Sequence, residues 1–283
     1  MTASENIKIS FLGGGNMASA MISGLLQQGF LPNNLLAIDP LPTARNYLSD
    51  KFHIRTATDV SQCGNFLEVS QLIVLCVKPQ QLLEAITQLN ISLTHLSGPQ
   101  ILTLSIVAGV RIADIANQLG HSRIVRAMPN TPALIQKGMT GLYAGQHVNQ
   151  QDTQLINTVC QSIGASLWVN QEGLLDAVTA ISGSGPAYVF SMIEHLTNSG
   201  LQLGLTAEQS KLLATQTVIG AGQLALTSSD SASQLREKVT SKGGTTFAAL
   251  EILNQRAWGT ALEDAVKAAN QRAKEMGDEF SKK

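Results

Sequence analysis

The chain opens with an apolar run, residues 7–11, that breaks at once on Leu12-Gly13-Gly14-Gly15-Asn16-Met17-Ala18. No other stretch so restricts the folds open to it. A strand that ends in glycines and passes straight into a helix is the phosphate-cradling turn of a dinucleotide-binding unit. Gly13 is placed for the tight turn, Gly15 for close backbone approach to a pyrophosphate, and Ala18 for packing of the helix on the strand. The helix turns its free N–H groups and the positive end of its dipole toward the phosphates. Met17, Met21, Gly24 and Leu25 recur on one of its faces. A glycine turn also serves purely structural ends, but its place at the head of the chain and the amphipathic helix behind it favour nucleotide binding.

An acidic residue that grips the ribose hydroxyls is expected about 20 residues beyond the glycines, at the end of the second strand. Asp39 closes the run Leu35-Leu36-Ala37-Ile38 at that place. A carboxylate there favours NAD, and Arg45, about one helical turn on, partly offsets it toward a phosphorylated cofactor. The plainer reading of Asp39-Pro40 is a polar strand end with a turn.

Further apolar runs at 71–77, 100–104 and 123–127 alternate with helical patterns at 80–89 and 110–119, and a last run at 165–169 closes this half. Such alternation predicts a parallel sheet wrapped by helices. The loops after the strand ends line the ligand crevice of such a sheet, which singles out Val77-Lys78-Pro79, Ile106-Val107-Ala108-Gly109 and Met128-Pro129-Asn130-Thr131-Pro132. Each is a candidate cofactor or substrate loop, or else a solvated cation and two stiffening prolines.

The chain has 283 residues, 19 Lys and Arg against 20 Asp and Glu, so it is long enough for two domains and nearly neutral. Neither nucleic acid nor an anionic membrane is a suggested partner, and a small molecule is. Cys63, Cys76 and Cys160 are far apart, and the opening Met-Thr-Ala-Ser-Glu-Asn lacks the basic and apolar regions of a signal peptide. A reduced, cytoplasmic chain is expected. Cys76, inside an apolar run, reads as core rather than nucleophile, and the five histidines show no ligand spacing, so no metal site is expected.

From Asn170 the character changes to long Ala-, Leu-, Gln-, Ser- and Thr-rich stretches with helical spacing. The boundary is therefore expected at 169/170, with an α/β dinucleotide-binding domain over 1–169 and an all-helical domain over 170–283. Between 171 and 227 the charged residues are Glu172, Asp176, Glu194, Glu208 and Lys211, too few to clothe exposed helices in a monomer. No stretch supplies the ~20 apolar residues of a membrane span. Gly220, Ala221 and Gly222 permit close helix contact, and an interlocked helical dimer is the expected solution.

Near the end of this domain Ser241-Lys242-Gly243-Gly244-Thr245-Thr246 runs straight into a helix. Gly243 and Gly244 expose backbone N–H groups suited to a carboxylate, and Ser241, Thr245 and Thr246 offer hydroxyls. This reads equally as a small-anion pocket without a metal or as a helix whose cap is Thr245 or Thr246.

Taken together, residues 11–18, 127–133, 181–188 and 239–246 resemble the pyrroline-5-carboxylate reductase family over nearly the whole chain. The last motif, a Ser-Pro-Gly-Gly-x-Thr loop ahead of an Ala-Leu helix, is specific to that family, and Lys242 here replaces its proline. The resemblance implies a Rossmann-type domain followed by a helical dimerisation domain, and reduction of 1-pyrroline-5-carboxylate to L-proline, the last step of proline biosynthesis, with NADPH or NADH. It implies cofactor contacts at Leu12, Gly13, Gly14, Gly15, Asn16, Met17, Asp39, Val77, Lys78, Pro79 and Ala108, where Asp39 replaces a serine that some members carry. It implies substrate contacts at Ser241, Gly243, Gly244, Thr245 and Thr246, with Thr246 orienting the imine. The alternatives are another dehydrogenase or imine reductase of Rossmann and helical domains, or a non-enzymatic dinucleotide sensor. The dehydrogenase reading needs an early catalytic lysine, and Lys211 lacks the Asn-Asn that should follow it. A sensor has no need of the 241–246 loop.

Overall fold

A computed structural model describes residues 6–93 and 101–281. Residues 1–5, Gln100 at the head of the expected 100–104 strand, and the last two residues lie outside the described residues. Contacts divide the chain into one unit of residues 1–183 with 270–283 and a second of residues 184–269.

In the first unit the described strands are β1 (Ile9–Leu12), β2 (Leu35–Ile38), β3 (Arg55–Ala57), β4 (Leu72–Leu75), β5 (Leu102–Ser105), β6 (Ile124–Met128), β7 (Gly138–Ala144) and β8 (Gly164–Trp168). They form one sheet in the order β3-β2-β1-β4-β5-β6-β7-β8. The helices of this unit are α1 (Asn16–Gln27), α2 (Pro42–Phe52), α3 (Gly64–Leu67), α4 (Leu82–Leu93), α5 (Ile112–Leu119), α6 (Gln150–Gln161) and α7 (Leu174–Val178). Side chains alternate along the strands between two apolar clusters. Ile9, Phe11, Leu72, Val74 and Leu104 join one, whereas Leu12, Ile73 and Leu75 join the other. Both faces of the sheet are thus covered, as a parallel sheet requires. The architecture is Rossmann-type, as the alternation of runs predicts.

Two features differ from the sequence expectation. The sheet is not wholly parallel, because β7 runs antiparallel to β6. A 3-10 turn over Thr131–Ile135, followed by Gln136 in the left-handed region, reverses the chain, and the two glycines of β7 hide it from a search for apolar runs. The short strand β3 is also unannounced, being partly exposed and carrying Arg55. The compact units divide at 183/184, with residues 270–283 in the first of them. The helix α7 belongs to the sheet: Arg111 holds Asp176 through two bonds of 3.1 and 2.7 Å, Arg126 pairs with Glu172 at 3.1 Å, and Gly141 leaves room for Val178. Met276 likewise packs on Gly109, and Gly277 faces Arg111.

The second unit is all helical, with α8 (Gly185–Gln202), α9 (Ala207–Thr227), α10 (Ala232–Lys238), α11 (Thr245–Gln255) and the part of α12 (Trp258–Ser281) up to residue 269. Gly200 lies against Ser210, where a side chain on the glycine would meet the Ser210 hydroxyl at 2.6 Å, so α8 and α9 pack closely. Within this chain the unit leaves large apolar side chains in the open, among them Leu203 and Leu226 at 84% and 80% exposure. Among the described residues no helix is long and apolar enough to cross a membrane.

Candidate active site

Register places the glycine turn at one edge of the sheet. Leu12 pairs with Ile38 on one side and Leu75 on the other, and Leu75 pairs with Ser105, so β1, β2, β4 and β5 end level. The segments that leave those ends carry Gly13 to Met17, Asp39, Val77 to Pro79 and Ala108. All eleven residues expected to meet a cofactor therefore lie at the carboxyl edge, flanking the point between β1 and β4 where the strand order turns.

The turn is built for close backbone approach. Gly13 has φ +102°, and a Cβ there would stand 2.7 Å from the Cys76 carbonyl oxygen, so only glycine fits. Its N–H donates to the Ile38 carbonyl at 2.8 Å. The Gly14 N–H donates to Asp39 Oδ2 at 2.7 Å, and the Leu41 N–H to Oδ1 at 2.8 Å. Gly15 is the N-cap of α1 and faces open space, with no side chain capping the helix and no acid in its first turn. By contrast α6, α9 and α10 each begin with a full capping box. The free N–H groups behind Gly15 thus fit a nucleotide diphosphate. Lys78 is exposed before the 3-10 turn Pro79–Gln81, and Val77 packs on the core.

The first unit also shows supports that sequence reasoning missed. The loop of Ala108 is followed by Arg111, and the Ile112 N–H donates to Glu172 Oε1 at 2.8 Å, the oxygen that also accepts from Arg126. Desolvation lowers the pKa of Arg126, and the adjacent Glu172 charge works the other way. Asn130, in the loop after β6, donates from Nδ2 to both the carbonyl and the hydroxyl of Ser182 at 3.1 Å and accepts from the Met139 N–H at 2.9 Å. The signal for the first set was present in the sequence as a charged residue, Arg126, inside an apolar strand.

In the second unit the 241–246 loop has the same uncapped character. Gly243 has φ +73°, the Gly244 N–H donates to the Ser241 carbonyl at 3.0 Å, and a Cβ on Gly244 would lie 2.5 Å from Ser241 Oγ. Gly244 is itself the N-cap of α11, with no side-chain cap and no acid in the first turn. Thr245 is exposed at the first helical position and Thr246 half-buried at the second. Neither threonine caps the helix. Among the described residues the Thr246 hydroxyl has no hydrogen-bond partner, and Lys242 of the same loop is exposed.

No cysteine is poised as a nucleophile. Desolvation raises Cys63 to about 11 and Cys160 to about 12, and pushes Cys76 further in the same direction. Among the described residues no three His, Cys, Asp or Glu side chains form a metal-binding group. The chemistry on offer is anion binding by backbone N–H groups, with hydroxyls to orient what is bound.

Comparison with known proteins identifies relatives of this arrangement. A family profile described as "Pyrroline-5-carboxylate reductase dimerisation" matches residues 172–276, and one described as "NADP oxidoreductase coenzyme F420-dependent" matches residues 8–102. The pyrroline-5-carboxylate reductase of Pseudomonas aeruginosa is 37% identical over 274 residues, 96% of this chain and 98% of that protein. A solved pyrroline-5-carboxylate reductase from Coxiella burnetii superposes with a TM-score of 0.88 at 36% identity, covering 96% of this chain and 99% of that one. A Plasmodium falciparum pyrroline carboxylate reductase, solved with NADP bound, gives a TM-score of 0.83 at 30% identity over 97% of this chain and 100% of that chain.

Proposed function

The chain belongs to the pyrroline-5-carboxylate reductase family, and from that premise we propose how its own residues carry the reaction. It is an oxidoreductase that reduces the C=N bond of 1-pyrroline-5-carboxylate to give L-proline, with NAD(P)H as cofactor. When bound, the nicotinamide supplies the hydride. Leu12 to Met17, Asp39, Val77 to Pro79 and Ala108 hold the nucleotide: the N–H groups behind Gly15 bond its phosphates and Asp39 its adenosine ribose. In the other unit the N–H groups around Gly244 and Thr245 bind the substrate carboxylate, with Ser241 and Gly243 shaping the cradle. Thr246 Oγ1 bonds the ring nitrogen and fixes the C=N carbon in line for reduction. A protonated imine is already electrophilic, so the protein contributes alignment rather than a strong acid.

We assign nucleotide binding to the α/β half and substrate binding with dimerisation to the half from 170 onward, whose ends pack with the sheet. The apolar helices of the second unit meet a second copy of the chain in an intertwined homodimer, which covers Leu203 and Leu226. Free Cys63, Cys76 and Cys160 suit a reducing cytoplasm.

The observation that carries this reading is the uncapped start of α11 behind Ser241 to Gly244, an anion cradle with a free hydroxyl at Thr246. The test is a steady-state assay with 1-pyrroline-5-carboxylate and each reduced nicotinamide. Saturable oxidation of NADH or NADPH with stoichiometric proline is expected. A folded protein that binds nucleotide but makes no proline would instead support the sensor alternative.

A further inference from the structure

The loop that leaves β5 carries Ala108 at the carboxyl edge of the sheet and is pinned behind it. Its first half is tied to the neighbouring strand, where the Ile106 N–H donates to the Leu75 carbonyl at 3.2 Å. Its second half, Gly109 to Ile112, rests on two segments from much later in the chain, α7 and the last turns of α12, all of them in the first unit. Gly109 has φ +73°, and a Cβ there would stand 3.1 Å from Met276 Cβ, so the loop backbone lies against α12. Arg111 occupies the centre of this junction. Its Nη1 and Nη2 donate to the two carboxylate oxygens of Asp176 at 3.1 and 2.7 Å, and the Asp176 side chain is only 2% exposed. The guanidinium also lies on Gly277, where a Cβ would come within 2.9 Å of Nε, so α12 makes space for Arg111 by carrying no side chain there. The helix that Arg111 opens, α5, has no side-chain cap of its own. Its first N–H, that of Ile112, donates instead to Glu172 Oε1 at 2.8 Å.

We propose that Arg111, clamped between Asp176 of α7 and Gly277 of α12, is the positioning residue that sets the Ala108 loop against the nicotinamide half of the cofactor. This role rests on the nucleotide site proposed above and extends its support to the last turns of the chain. In a sheet of this kind each half takes one mononucleotide. The glycine turn and Asp39 follow β1 and β2, in the half that takes adenosine, whereas Ala108 follows β5, in the half left for the nicotinamide nucleotide. A bidentate guanidinium–carboxylate pair fixes direction as well as distance, so the backbone at Arg111 is held in one place and the loop before it follows. An ion pair that only fastened α7 to the sheet would need neither the slot at Gly277 nor the close approach of Gly109 to Met276.

The test separates the two halves of the cofactor. Gly277→Val fills the slot and pushes the guanidinium off Asp176 while favouring the helical state of α12. Arg111→Met keeps the length of the side chain and removes the fork. Parent and variants, all full length, are titrated with NADH and NADPH by nicotinamide fluorescence and with ADP and adenosine 2',5'-bisphosphate by calorimetry, and Tm is recorded. Both variants are expected to bind the reduced nicotinamides about tenfold more weakly, the equivalent of one lost hydrogen bond, and the adenosine ligands within about twofold of the parent. Should Arg111→Met fail to fold with Asp176 left unpaired, Gly277→Val decides alone. A folded variant with parental nicotinamide affinity overturns the inference, whatever its Tm, and returns Arg111 to fastening α7. Equal loss of both ligand classes also overturns it, because the effect then lies outside the nicotinamide half. Parent protein that binds none of the four ligands overturns the nucleotide site itself, and the inference with it.

Discussion

Replacing Thr246 by valine separates chemistry from architecture at the substrate loop. Valine is nearly equal in volume and equally branched at Cβ, so helix propensity hardly changes. The helix start is Gly244, and no threonine hydroxyl caps it, so no cap is lost. The Thr246 hydroxyl has no partner among the described residues, so its removal leaves no protein donor or acceptor unsatisfied. Stability should therefore stay within about 0.5 kcal/mol of the parent. Turnover should not. A hydrogen bond to the charged imine that tightens in the transition state is worth about 2 kcal/mol, which at 1.36 kcal/mol per tenfold is a fall of roughly 30-fold in turnover. On the proposed assignment nicotinamide is held by residues of the other unit, so its affinity should be unchanged. One preparation, assayed for kcat, nicotinamide Kd and Tm, suffices. Wild-type kcat would refute the role given to Thr246, and a Tm lowered by several degrees with normal turnover would return the residue to a structural part.

Gly24→Ala should destabilise the first unit despite a helix-propensity gain of about 1 kcal/mol: the new methyl runs into the Ser162 carbonyl, and overpacking costs about 1–3 kcal/mol. A denaturant midpoint at or above the parent value would contradict the packing of α1. Asp152→Asn should cost about 3 kcal/mol, because Asp152, buried at 4% exposure, takes two bonds from Arg123, at 3.0 and 2.6 Å, and one from the Asn149 N–H. Desolvation works against the Asp152 charge, but the bonds from Arg123 and Asn149 and the Arg123 charge outweigh it and hold the carboxyl below its ordinary value. Its contribution is thus present above the ordinary carboxylate range and lost as pH falls through the depressed value, so the Asn variant should show a flatter fall of Tm in acid, and parallel curves would refute the pairing. Sedimentation at micromolar concentration should show a dimer or a multiple of it, and a stable folded monomer would contradict the burial argued for the second unit.

What was legible in the sequence follows the range of the forces involved. The glycine turn, Asp39 and the loops after β4 and β5 could be read because local pattern fixes each strand end, and parallel pairing then brings those ends to one edge. The bond between Gly14 and Asp39 is the shortest-range consequence of that rule, since two neighbouring strands end level. Arg126 was visible as a charge inside an apolar strand, but its partner Glu172 is 46 residues on, and no local pattern selects one carboxylate over another. The same pairing draws α7 onto the sheet, so the first compact unit runs past the change of composition at 169/170. Strand β7 escaped because its glycines thin the apolar run, while its antiparallel direction depends on a left-handed Gln136. The 241–246 loop sets the limit most clearly. Gly-Thr-Thr offers three possible caps by residue type, and the extended backbone of Gly244, with ψ 174°, makes that glycine the cap. A threonine cap would have used its hydroxyl on the helix. The glycine cap leaves the Thr246 hydroxyl without a partner among the described residues, so the role proposed for this loop turns on one backbone angle rather than on its composition.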